Sequence, residues 1–166
     1  MTTKTAAQRC ILIVIARGFD EVDTISLISI LRQAGLCVKS MGMTRGLVRG
    51  AYGICLMPDL TLSDLDDLAK TITFGAAILP ENKQCLVRLE ADPRLHNFLH
   101  QVLAQGGQIV AGVEGRQFLK KIFVGDPKLI GSSNGAESLL LLRGSGQSLE
   151  ALARDLVQSM EQSLRS

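Results

Sequence analysis

Seven consecutive apolar residues, Cys10 to Ala16 (CILIVIA), constrain the fold more than any other stretch of this sequence. The run is rich in β-branched side chains, as expected of a strand buried on both faces of a parallel sheet. Such a strand needs helices above and below it, and the rest of the chain alternates accordingly. Asp20–Ala34 reads as a helix, with Asp20, Glu21 and Asp23 at the positive end of its dipole and Gly35 closing it. Leu36–Met41 is the second strand. Leu47–Val48 and Tyr52–Met57 form a short pair, turned by Gly46, Gly50 and Gly53, and Pro58–Asp67 is loop or short helix. Ile72–Leu79 is another buried strand, ended by Pro80. Asp92–Gln105 is a helix capped by Asp92, with Pro93 in its first turn. Strand Gln108–Val113, helix Gly115–Phe123, a short strand or turn at Lys128–Ile130 and a turn at Ser132–Gly135 follow. A last strand, Glu137–Leu142, and a last helix, Gln147–Leu164, complete the pattern. The expectation is one α/β domain over residues 1–166, with a mostly parallel sheet.

Charge and composition exclude several function classes. Eighteen basic and 16 acidic residues leave a net charge of +2, and there is one Tyr and no Trp. A nucleic-acid binder would carry a basic stripe or aromatic platform, so no nucleic-acid partner is expected. The Cys10–Ala16 run is too short to span a bilayer, and Met1–Arg9 lacks the apolar core of a signal peptide. A cytoplasmic protein without membrane contact is expected. The mean hydropathy of +0.24 is slightly high and suggests apolar surface covered by a partner chain. The 20–34 helix fits that role: Val22, Ile25, Leu27, Ile28, Ile30 and Leu31 cover much of its circumference, so it is buried on more than one side. One side would meet the sheet and the other a second subunit, or another helix of the same chain. The four cysteines, Cys10, Cys37, Cys55 and Cys85, form no C-x-x-C pair and no zinc spacing. The first three lie in strand-like segments and read as small buried hydrophobes.

Five motifs, the first of them in two pieces, carry a resemblance when taken in order. Ile13-Val-Ile-Ala-Arg-Gly-Phe-Asp-Glu-Val-Asp-Thr-Ile25 and Leu31-Arg-Gln-Ala-Gly35 open it. Met57-Pro-Asp-Leu-Thr-Leu-Ser-Asp64, Ala76-Ala-Ile-Leu-Pro80, Gly107-Gln-Ile-Val-Ala-Gly-Val-Glu-Gly115 and Leu142-Arg-Gly-Ser-Gly-Gln-Ser148 continue it. The series resembles the ThiJ/PfpI superfamily, which includes the parkinsonism-associated deglycase and the class I glutamine amidotransferase-like proteins. The resemblance implies a flavodoxin-like three-layer sandwich. It also implies a cysteine on a sharp strand-to-helix turn, an acid from the first helix beside it, and an oxyanion site on the backbone of a Pro-Gly-Gly turn.

Carried over residue by residue, that resemblance leaves the acid and removes the nucleophile. Asp23 falls at the acidic position, one methylene shorter than the usual Glu. Val113 falls at the cysteine, and Glu81 and Asn82 replace the two glycines after Pro80. Where a histidine would follow, the chain has Ser133. A valine offers no nucleophilic atom. A β-branched residue at positive φ is a genuine outlier, so the turn is expected to relax, with Gly112 or Gly115 taking the unusual angles.

The remaining candidates are weaker. Asp23, Glu81, Asn82, Val113, Glu114 and Arg116 form a candidate vestigial pocket at strand carboxyl ends, suited to a small polar ligand. Against this stands a plain reading of Glu114 as a helix-capping or ion-paired residue. Cys85, in the loop after Pro80, is a possible thiol, its pKa lowered if Lys83 and Arg88 lie close. His96 and His100 share one helix face at i, i+4 without a third ligand, so no metal site is expected. Gly144-Ser-Gly146 half-resembles a dinucleotide fingerprint but follows the wrong strand, and no cofactor is expected. The sequence therefore favours a non-catalytic, homodimeric small-ligand-binding or protein-interaction module. The alternative is a residual glyoxalase/deglycase-like or amidohydrolase-like enzyme using Asp23, Glu114 or Cys85. A third reading, a phosphoacceptor receiver, has Asp20 and Glu21 but Glu81 where its Asp is wanted.

Overall fold

The computed structural model describes residues 8–124, 140–142 and 148–165. The apolar run forms the end of strand β1 (Gln8–Val14), buried from Cys10 onward. It lies at the centre of a six-stranded sheet. β1 pairs in parallel with β2 (Cys37–Gly42) on one side and β6 (Ile72–Ile78) on the other. β2 continues to β5 (Leu60–Thr61), while β6 continues to β7 (Gln108–Ala111) and β8 (Leu140–Leu142), giving the order β5-β2-β1-β6-β7-β8. Every pairing in this sheet is parallel. A separate antiparallel ribbon joins β3 (Val48–Arg49) to β4 (Cys55–Leu56).

The topology assigns the helices. From β1 the chain runs one way along the sheet through α1 (Glu21–Gln33) to β2. From β6 it runs the other way through α3 (Lys83–Glu90) and α4 (Pro93–Ala104) to β7. Right-handed crossovers in opposite directions put their helices on opposite faces. The contacts agree: α1 packs with the last helix, α6 (Leu149–Arg165), whereas α3 packs with α4 and with α5 (Val113–Ile122). The short α2 (Leu65–Leu68) follows a 3-10 turn at Leu62–Asp64. The direction of travel reverses between β1 and β6, the point at which an open α/β sheet forms its crevice.

Local chemistry explains the helix starts. Asp20 caps α1 by accepting from the Asp23 amide at 2.9 Å. Asp92 caps α4 by accepting from the Arg94 amide at 3.0 Å, with Pro93 in the first turn. Arg94 does further work: its guanidinium pairs with Asp92 at 2.7 Å and reaches Ser63 Oγ and the Met43 carbonyl. The start of α4 is thereby tied to the end of β2. Hydrogen bonds from Arg94 hold the Asp92 carboxyl below the usual carboxylate range, against the opposing effect of burial.

Several expectations need correction. Cys10 and Cys37 are not independent small hydrophobes: they face each other across β1 and β2, 4.7 Å apart at Cα, and form a disulfide. Cys55 is exposed. The loop expected after Pro80 is helix α3, started by the Asn82 side chain, which accepts from the Gln84 amide at 2.9 Å. The segment at 58–67 contributes an edge strand, β5, as well as helical turns. Strand β7 ends at Ala111, and Val113 is the first residue of α5. The elements expected at Lys128–Ile130 and Ser132–Gly135, with Ser133, and the Gly144-Ser-Gly146 turn lie outside the described residues. The paired histidines diverge. His96 Nε2 lies 3.1 Å from the Glu90 carbonyl, while the His100 ring packs against Phe123. Among the described residues no group of metal-ligating side chains forms a site.

Candidate functional site

The crevice at the topological switch point is lined by the ends of β1, β6 and β7, here Ile13, Ile78 and Val110. Its polar rim is acidic: Asp20 and Asp23 come from the start of α1, and Glu81 from the turn after Pro80. The cavity is small, about 60 Å³. Organic ligands usually occupy about 300–1,000 Å³.

Glu81 explains the shape of this site. A Cβ placed on Gly112 would run into the Glu81 carboxylate, so the two residues interlock. Gly112 is the residue between the sheet and α5, and only a side chain this small admits the carboxylate. Glu81, in the turn after Pro80, thus fills space over the strand-to-helix turn. Gly112 has φ −91°, and neither it nor Gly115 takes a positive φ. The expected left-handed glycine is therefore absent: α5 begins at Val113, and the turn into it needs no left-handed residue.

The structure brings together only part of the expected constellation. Asp23 and Glu81 line the cavity and Gly112 forms its floor, but Asn82, Val113, Glu114 and Arg116 do not. Asn82 is occupied as the cap of α3. Val113 points outward, 60% exposed. Glu114 faces a shallow depression between α3 and α5 alongside Lys83 and Lys121, and Arg116 lies exposed on α5. The divergence is helical: each residue of α5 turns about 100° from the one before, so Val113, Glu114 and Arg116 point in different directions.

Cys85 is also not where a reactive thiol would be. It lies in α3, fully buried, with its thiol donating to the Ala16 carbonyl at 3.4 Å. Burial pushes the thiol up to about 11, outweighing the Ala16 contact and the nearby Arg88 charge that favour the thiolate. At pH 8 about a thousandth of Cys85 would be thiolate, since the fraction falls tenfold per unit below the pKa. Iodoacetamide mapping is therefore expected to label exposed Cys55 and to leave Cys85 unmodified in the folded protein. Rapid labelling of Cys85 would contradict this placement.

A carboxylate that the sequence did not single out as a site residue has a clear structural task. Glu21 is 1% exposed and accepts from the amides of Tyr52 at 2.7 Å and Ile54 at 3.2 Å. It clamps the turn between β3 and β4, and Gly50 is required there because a Cβ would strike the Glu21 side chain. Burial pushes the Glu21 carboxyl up, but the amides of Glu21, Tyr52, Ile54 and Gly53 together hold it below the ordinary glutamate value. The clamp is therefore complete above the unfolded glutamate pKa of about 4.3 and is lost as pH falls through the lower folded value. Hydrogen exchange should show Tyr52 and Ile54 amides losing protection in that acid range. Glu21→Gln should show weaker protection at neutral pH and no such transition. An identical acid profile in both proteins would rule the clamp out.

Comparisons with known proteins agree with this geometry. No curated protein sequence matches the chain. Among solved structures, Toxoplasma gondii DJ-1 is similar, with TM-score 0.71 and 20% identity over 95% of each chain. Drosophila melanogaster DJ-1beta is similar at TM-score 0.70 and 20% identity, covering 95% of this chain and 97% of that one. A ThiJ/PfpI domain protein from Brachyspira murdochii has TM-score 0.72 and 16% identity, covering 93% of this chain and 98% of the other. These likenesses establish the flavodoxin-like α/β fold. The DJ-1/PfpI family model matches residues 9–142, most of the sequence from β1 to β8, and the chain accordingly belongs to the DJ-1/PfpI family.

Proposed function

We propose that this protein is a non-catalytic member of its family, a homodimeric binding or interaction module. One observation carries the reading: an exposed valine stands at the strand-to-helix turn, and the carboxylate of Glu81 fills the space beside it. Thioester or hemithioacetal chemistry needs a sulfur there, and valine supplies none. Cys85, the candidate thiol, is buried on α3, where burial disfavours the thiolate.

The dimer part of the reading rests on an apolar surface. Leu27 and Leu31 turn inward from α1, whereas Val22 is 68% and Ile25 40% exposed. The Glu21 clamp brings Tyr52 and Ile54, both exposed, to the neighbourhood of Val22. Contiguous exposed apolar side chains of this kind favour a partner surface. Among the described residues no helix is long and apolar enough to cross a membrane. The proposed location is cytoplasmic.

The test has two parts. Purified protein offered methylglyoxal or small amides is expected to show no turnover, and turnover that disappears in Cys85→Ser would establish the residual-enzyme reading instead. Sedimentation velocity is expected to show a dimer that Val22→Asp converts to monomer. A wild-type monomer at high concentration would remove the dimer from the proposal.

A further inference from the structure

A second, larger cavity lies on the other side of the β1 carboxyl end. Its volume is about 540 Å³, in the range that takes a small organic molecule. Three arginines from three separate segments line it: Arg17 after β1, Arg49 on β3 and Arg88 on α3. Among the described residues no acidic side chain lines it. Among the described residues, Arg32, Arg45 and Arg94 pair with Asp59, Asp64 and Asp92, while no carboxylate pairs with Arg17, Arg49 or Arg88. Arg49 extends its guanidinium toward Gly53 of the β3–β4 turn, and the like charges of the lining arginines repel one another unless an anion is present. The lining is otherwise largely apolar, including Ile15, Leu47 and Val48.

We propose that this cavity binds a small organic oxyanion, a phosphate or carboxylate carried on an apolar body, through Arg17, Arg49 and Arg88. Guanidinium groups match such oxyanions in fork geometry, and a charge-assisted pair is stronger than a neutral hydrogen bond. The apolar lining would cover the body of the ligand. The floor is rigid, because Arg94 holds the Met43 carbonyl beside it and the Arg49 carbonyl accepts from the Gly18 amide at 2.9 Å. This site shares no residue with the acidic crevice, so it stands or falls separately from the catalytic status of Val113.

Calorimetric titration of the full chain with phenyl phosphate, phthalate and benzyl alcohol tests the site. At least one of the two anions is expected to bind, benzyl alcohol much more weakly, and added salt to weaken the anion. Phenyl phosphate without phthalate would mark a phosphoryl ligand, and the reverse a dicarboxylate. Arg17→Gln, Arg49→Gln and Arg88→Gln should each weaken binding about tenfold or more. Arg45→Gln, an exposed arginine outside the cavity, should leave it unchanged. Anions that bind no better than benzyl alcohol, or equal losses in Arg45→Gln, would overturn the assignment.

Discussion

Loss of the Cys10–Cys37 disulfide is expected to lower stability by about 3–4 kcal/mol, the largest single effect the fold offers short of dismantling its core. The bond closes a loop with a sequence separation of 27, and that loop contains the whole of α1. In the chain-entropy account, freeing a loop of this length restores conformational freedom mainly to the unfolded state. For a domain of this size the melting temperature should fall by on the order of 10 °C. Melting curves with and without reductant, and of Cys10→Ala with Cys37→Ala, measure it directly. The double variant should melt with the reduced wild type and ignore reductant. A wild type indifferent to reductant would mean the bond does not form. The β1–β2 pairing should survive, because four further residue pairs hold its register independently of the sulfurs.

Phe98→Ala is expected to cost about 3–5 kcal/mol, the usual range for emptying a buried aromatic site. Phe98 is fully buried on α4 and meets Phe74 of β6 edge-on, with ring centroids 5.4 Å apart. The contact joins the helix layer to the sheet next to its central strand. Neighbouring Leu95, Leu99 and Val102 are also fully buried, so little can move inward to fill the gap. Denaturant unfolding should show a lower midpoint at unchanged slope. Phe98→Leu should recover most of the loss. A loss well under 1 kcal/mol in the alanine variant would mean that α4 is not fixed to the sheet as described.

The legible parts of this protein were those whose signal is local. The Cys10–Ala16 run announced a central parallel strand, and Asp20 and Asp92 announced the starts of α1 and α4. Helix α3 was missed although Asn82 and the spacing of Cys85, Leu86 and Leu89 encode it. The helix is only eight residues long and follows directly on the turn at Pro80, so its apolar spacing spans too few turns to stand out. What could not be read was set by strand register. Cys10 and Cys37 become partners only once β1 and β2 pair at one particular offset. The candidate site divides in the same way. Asp23 lines the crevice, and its position in the first turn of α1 follows from the cap. Glu114 and Arg116 were grouped with it by sequence proximity to Val113, and the pitch of α5 carries them off to other surfaces. The arginine cavity had no sequence signature, since Arg17, Arg49 and Arg88 are more than 30 positions apart and meet only through the crossovers.

The interlock of Glu81 with Gly112 bears on what either position can accept. Any residue larger than glycine at 112 would have to displace the Glu81 carboxylate, whereas Glu81→Gly would leave space over the turn that a Cβ at 112 could enter. Changes at residues in contact do not add, so a substitution damaging alone becomes tolerable once its neighbour has changed. The order in which these two positions change therefore decides which sequences the chain can reach.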